Sequence, residues 1–220
     1  MMLMSLQTII WNGVLETLYM TIVSTAAAYL FGLPLGVLVC ITDKDGICPN
    51  RFVNTVFGVM INIVRSIPFL ILLVAILPFT RLVVGTTIGS TATIVPLVVA
   101  ATPYVARMVE SSLKEVDAGV IEAANAMGST PFQIVWKVLL VEARPSLLVG
   151  SVISLATILS YSAMAGFVGG GGLGAIAINY GYYRYNDKVM LITVCLLVVI
   201  VQLFQEVGVR VVHRTDRRLK

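Results

Sequence analysis

Few groups in this chain could do chemistry, and their placing narrows what that chemistry can be. Arg65 stands inside a long apolar stretch, where a guanidinium is costly unless it is paired or hydrated. All eleven acidic residues, from Glu16 to Asp216, fall at the ends of the apolar stretches or between them, so none is placed to neutralise it. Arg65 must therefore meet backbone carbonyls, water in a cavity or the carboxylate of a ligand. Two readings stay open. Arg65, with the kink-prone Ser66-Ile67-Pro68, lines a path or gate and meets an anionic group, or it braces a broken helix by donating to freed carbonyls.

Other chemistry lacks its residues. The single histidine is His213, close to the C-terminal end, and no Asp or Glu lies inside an apolar stretch. A proton relay of the kind secondary transporters carry within their spans is therefore missing. A phosphate-cradling loop, G-x-x-x-x-G-K-[ST], is also missing, because no glycine precedes a lysine. If ATP drives a process here, another polypeptide must hydrolyse it. Cys40, Cys48 and Cys195 are odd in number and have no C-x-x-C spacing, which supports neither a disulfide framework nor a metal site.

The elements that hold these residues belong in lipid. With 58% hydrophobic and 12% charged residues and a mean hydropathy of +0.97, the chain departs far from the ~25% charged of a soluble domain. It reads as an all-α integral membrane protein. Spanning helices need ~20 mostly apolar residues, and five such segments read at 17–41, 56–80, 88–108, 145–166 and 189–209. Of the 15 Lys and Arg, Lys44, Arg51, Arg107, Lys114, Lys137, Arg144, Arg210, Arg214, Arg217, Arg218 and Lys220 fall on one side, against Arg81, Arg184 and Lys188 on the other. The positive-inside rule then puts the N-terminus outside and the tail in the cytoplasm.

A net charge of +4 would suit nucleic acid, but the cations sit beside helix ends. No nucleic-acid partner is expected, and the tail reads as a topology and lipid-headgroup signal. The residues before Glu16 lack the Lys or Arg that front a cleavable signal peptide, and Trp11 reads as an interfacial anchor. One transmembrane domain is expected over 13–209, with a charged segment at 107–144 inside it and a basic tail at 210–220.

Breaks in the spans come next. Gly32, Pro34 and Gly36 in the first span, and Pro96 and Pro103 in the third, free carbonyls, though each singly reads as packing more than hinge. Gly150, Ser151, Ser154 and Ala156 permit close helix contact, expected at a two-fold subunit interface. The run Gly166, Gly169 to Gly172 and Gly174 follows the fourth span. A tightly turned or re-entrant segment beside a path is favoured over a flexible external loop, because Tyr161 to Phe167 and Leu173 to Ile178 are apolar enough to stay in the bilayer.

The charged segment carries a corner. Thr130 and Gln133 make a capping box, Pro131 suits the first helical position, and Gly128 suits the end of a preceding helix. Ala123, Ala124 and Ala126 are small enough for a partner to come close, while Phe132, Val135, Trp136 and Leu139 give the second helix an apolar face.

This corner resembles the cytoplasmic coupling loop of bacterial binding-protein-dependent ABC importer permeases, whose consensus is E-A-A, three residues, G, nine residues, I, one residue, L-P. Glu122, Ala123, Ala124, Gly128 and Leu140 match; Val138 stands for the Ile and Val141 for the Pro, with Pro145 the next proline. Longer stretches narrow the resemblance. Asn62 to Phe69, Pro78-Phe79-Thr80-Arg81, Val84-Gly85-Thr86, Tyr161-Ser162-Ala163-Met164, Gly171 to Gly174 and Asn179 to Tyr182 are similar to the methionine importer permeases, over nearly the whole chain.

The resemblance implies a type I importer permease that is not itself an enzyme and carries no cofactor. Five helices would form it, with the coupling loop between the third and fourth. It implies a homodimer of this chain, two ATPase subunits that bind ATP and Mg, and a periplasmic or lipid-anchored protein that delivers methionine, L and D alike, across a bacterial inner membrane. Glu122, Ala123, Ala124, Gly128, Thr130 and Pro131 would couple to the ATPase; Arg65, Ser66, Pro68, Tyr161, Ser162 and Met164 would line the path or gate. Against this stand a permease for another small amino acid, a self-sufficient carrier and a scaffold that transports nothing.

Overall fold

The structure is a computed structural model of one chain and describes residues 6–215. Positions 216–220 of the expected basic tail, and the side chains from His213 onward, lie outside the described residues. Every regular element among the described residues is helical. Four are long and apolar enough to cross a membrane, and a bent pair makes a fifth if it counts as one span.

Helix α1 (Leu6–Ile41) has 36 residues, about 54 Å at ~1.5 Å per residue. That exceeds the ~30 Å hydrocarbon core, so α1 tilts or projects beyond it. Its long partner is α5 (Ser90–Lys114). Glycine makes their approach possible: a Cβ at Gly32 would stand 2.8 Å from the Val105 Cβ, and one at Gly36 2.7 Å from the Val109 Cβ. Pro96 and Pro103 are buried within α5, which continues through both. These interruptions serve packing.

The second expected span is broken. Helix α2 (Arg51–Ser66) ends at Ile67, and α3 (Phe69–Ala75) departs from it at 101°. Pro68 lacks an N–H and drives its predecessor out of the helical region, and Ile67 indeed takes φ −83°, ψ 124°. Phe69, Leu72 and Leu73 then bury α3, with Phe69 and Leu73 packed among Met20 of α1, Leu97 of α5 and Ala165. The span expected at 56–80 is thus a bent pair, sharper than the kink that Ser66-Ile67-Pro68 suggests, and α4 (Leu77–Val84) follows as a separate short helix.

Beyond α5 come α6 (Ala118–Ala126), α7 (Pro131–Ile134), a π-helical turn (Val135–Leu139), α8 (Leu140–Glu142) and α9 (Arg144–Met164). Ser154 is fully buried, its hydroxyl donating to the Gly150 carbonyl at 2.8 Å and lying 3.4 Å from the Tyr29 hydroxyl. A Cβ at Gly150 would meet Met108. These two residues pack α9 on α1 and α5 of its own chain, which corrects their expected place between subunits.

A 3-10 turn (Ala165–Val168), α10 (Gly172–Ile176) and a second π turn (Ala177–Tyr182) lead to α11 (Asp187–Thr215). The glycine run is fastened. Glu16 on α1 accepts from the Gly172 N–H at 2.6 Å, and the Thr17 hydroxyl accepts from the Leu173 N–H at 2.9 Å, so α1 caps the start of α10. A Cβ on Gly172 (φ +71°) would stand 2.7 Å from that hydroxyl.

Candidate functional site

The corner is built by local rules. Asp117 caps α6 by accepting from the Gly119 N–H at 2.7 Å. At its far end Gly128 takes φ +77°, a left-handed conformation that lets its own N–H reach the Asn125 carbonyl at 2.9 Å and that of Ser129 reach Ala124 at 3.1 Å. The expected capping box is present: the Gln133 N–H donates to the Thr130 hydroxyl at 3.4 Å, and the Thr130 N–H to the Gln133 side-chain oxygen at 2.9 Å. Pro131 opens α7.

The apolar face expected over Phe132, Val135, Trp136 and Leu139 divides. Leu139 is buried, as is Ile134, while Phe132 and Trp136 remain 75% and 63% exposed. The wider π turn brings Leu139 to the side of Ile134, five residues back, and leaves Trp136 outside with Phe132. Phe132 and Trp136 stack on each other outside, rings 4° apart in tilt and 6.4 Å between centroids. Ala123 points outward, but Ala124 is 3% exposed and packs into the chain's own core with Ile134, Leu139 and Ala143. Its small side chain thus serves internal packing, a correction to its expected role under a partner's surface. Burying Ile134 and Leu139 is worth about 1.5–3 kcal/mol each, which makes the corner a rigid continuation of the core.

Behind α6 lies a cavity of about 520 Å³, walled by Ile121, Glu122 and Asn125 on one side and by Asp43 and Lys114 on another. Lys114 Nζ stands 2.6 Å from Asp43. That hydrogen bond, helped by one from the Lys44 amide, holds the Asp43 carboxyl below the usual carboxylate range.

The break between α2 and α3 gathers the other candidates. Arg65 sits in the last turn of α2 and lines a cavity of about 150 Å³ with Phe69, Tyr104 and Tyr161. Among the described residues it makes no hydrogen bond or ion pair. The ring of Tyr161, on α9, stacks on Phe69 with centroids 4.6 Å apart and planes within 7°. Ser66 returns its hydroxyl to the Asn62 carbonyl at 2.8 Å, and Pro68 starts α3. Met164 is exposed. Ser162 points the other way: it is 1% exposed and bonds to the Leu159 carbonyl at 2.7 Å, so it does not join the cavity.

The profile of one family, described as binding-protein-dependent transport system inner membrane component, matches residues 32–217. The chain belongs to this family. It is 52% identical over 203 residues, 92% of its own length and 90% of the relative's, to a protein of Vibrio cholerae named probable D-methionine transport system permease protein MetI. A protein of the same name from Pasteurella multocida is 50% identical over 204 residues, 93% of this chain and 94% of that one. Among solved structures, a chain of the inward facing MetNI methionine ABC transporter in its native crystal form superposes with a TM-score of 0.96 at 49% identity, covering 98% of this chain and all of that one.

For this inner membrane permease, sequence reasoning missed two residues. Phe69 gave no signal beyond its place after Pro68. Glu110 gave one: Arg107, Glu110 and Lys114 stand three and four residues apart, the spacing of ion pairs on one helical face. An early end to the third span hid it.

Proposed function

We propose that this chain is the membrane-spanning subunit of an ATP-driven importer that moves methionine, in both L and D forms, into the cytoplasm by alternating access. Two copies form the pathway over residues 13–209, two ATPase subunits outside this chain bind and hydrolyse ATP with Mg, and an external binding protein delivers the substrate. The N-terminus lies outside, and the 107–144 segment and the basic tail face the cytoplasm. What carries this reading is the agreement, along nearly the full length of both chains, with the permeases named for D-methionine.

The geometry supplies a mechanism. Phe132 and Trp136, exposed and stacked, present an apolar knob beside Glu122, Ala123, Gly128, Thr130 and Pro131. Such aromatic anchors suit a groove on a partner. When ATP draws the two ATPases together, the knob moves with its groove, and the buried Ile134 and Leu139 carry that displacement into the helices as a largely rigid-body rotation. At the break, Arg65 has a free guanidinium in the cavity it lines with Tyr104 and Tyr161, suited to a substrate carboxylate. Ser66 and Pro68 shape that end of α2, and Met164 lies one turn from Tyr161 on the path.

Uptake by vesicles holding this chain and its ATPase tests the reading. ATP-dependent accumulation of methionine, with little of other amino acids, is the expected result. Uptake without an ATPase overturns the ATP-driven mechanism, and preference for another solute overturns the substrate.

A further inference from the structure

Glu110, on α5, is the one acidic residue buried among those described, at 7% exposure. A carboxylate taken out of water is expensive unless cations and hydrogen bonds surround it. Here its two oxygens are divided. Oε2 accepts from Arg107 Nη1, one turn back, and Oε1 accepts from Lys114 Nζ at 2.9 Å, one turn on. Each cation also holds a second group on another element. Arg107 Nη2 donates to the Asn62 side-chain oxygen of α2 at 3.0 Å, and Lys114 Nζ reaches Asp43, in the turn between α1 and α2, at 2.6 Å.

These ties matter because they add to a small apolar contact. Ile61, the one buried residue of α2, packs with Phe57 against Leu35 and Val39 of α1 and Ala106 of α5, and Asn54, bonded to the Val39 carbonyl at 2.8 Å, adds a polar link to α1. Arg65 and the break stand one turn beyond Asn62. At the opposite end, Lys114 and Asp43 form a wall of the large cavity whose far wall is Ile121, Glu122 and Asn125 of the corner helix. The chain from corner to break therefore runs through the two cations that a single carboxylate keeps in place.

We infer that Glu110 is a positioning residue for transport: by orienting Arg107 and Lys114 it makes α2 follow α5 when the corner is displaced, and so sets where Arg65 stands. The inference rests on the ATP-driven reading above. Its test uses the whole transporter in vesicles, with methionine taken up per ATP hydrolysed as the readout, because loss of stability alone lowers the amount of complex without changing that ratio. E110Q keeps the shape and removes the charge. The ratio is expected to fall ~5-fold or more, the lower end of ordinary coupling between sites, and N62A, which leaves Glu110 paired with both cations, is expected to lower it in the same direction. A wild-type complex that couples, together with an assembled E110Q complex at the wild-type ratio, overturns the inference alone; a wild-type complex that does not couple overturns the function. Should E110Q fail to assemble, N62A decides, and an unchanged ratio there overturns the inference.

Discussion

Single residues set the conformation of the corner, and Gly128 shows how strain and space can be told apart. Nothing lies within 4 Å of where its Cβ would be, and its φ is +77°. Any loss of stability on substitution therefore comes from the backbone, about 1–2 kcal/mol for most L residues, with Asn tolerated better. G128N is expected to reach the membrane at normal levels yet to recover about tenfold less ATPase on purification, a difference of ~1.4 kcal/mol in binding. Equal recovery of ATPase would mean that the partner does not approach this side of the corner. Asp43 offers a second check at this scale. Its folded-state pKa lies below that of the unfolded chain, so its bridge to Lys114 contributes fully above the ordinary carboxylate range near ~4 and fades as pH falls through the lowered value. The side chain is about a third exposed, which limits the effect to under ~1 kcal/mol. Melting curves of D43N and the parent should converge on acidification and differ at neutral pH.

Whole elements depend on packing that composition does not record. The Phe69–Tyr161 stack joins α3 to α9 across the break, and such pairs add about 0.5–1.5 kcal/mol beyond their buried area. F69L keeps an apolar group there and loses the stack; a lower melting temperature for the purified complex, with unaltered helix content by circular dichroism, is the expected outcome. An unchanged melting temperature would leave α3 held by Leu72 and Leu73 alone. The helices of the first, third, fourth and fifth spans were legible in the sequence because hydropathy reads length and apolarity, the two requirements of a crossing. Pro68 gave warning of a kink, but the 101° turn was not legible, since it needs the pocket formed by Met20, Leu97 and Ala165 from distant segments. The corner was legible for the opposite reason. Its capping box, proline and left-handed glycine are local rules, each complete within a few residues. The place of Ala124 is not legible, because small side chains suit a partner and a crowded interior equally well, and only tertiary packing decides between them.

Taken as one molecule, the chain makes sense only with lipid around it. Helix α11 exposes Leu191, Val194, Val198, Leu203 and Val207, a surface that water would not tolerate on a lone subunit. Its Cys195 is exposed on that helix, whereas Cys48 is exposed in the polar turn after α1 and Cys40 is buried. The natural cysteines are therefore a ready reporter of orientation. A charged maleimide reacts with the thiolate, which forms in water and not among lipid tails, so Cys48 should be the principal site labelled. In the orientation proposed above from the excess of Lys and Arg flanking the corner and the α1–α2 turn, Cys48 faces the cytoplasm. Labelling is expected in inside-out vesicles and absent in intact cells. Y185C in a C48S background, at a position 90% exposed in the turn before α11, should show the opposite pattern, because five spans put an odd number of crossings between positions 48 and 185. If both label from the same side, the bent pair α2–α3 does not complete a span, and the corner and the N-terminal end of the chain share a compartment.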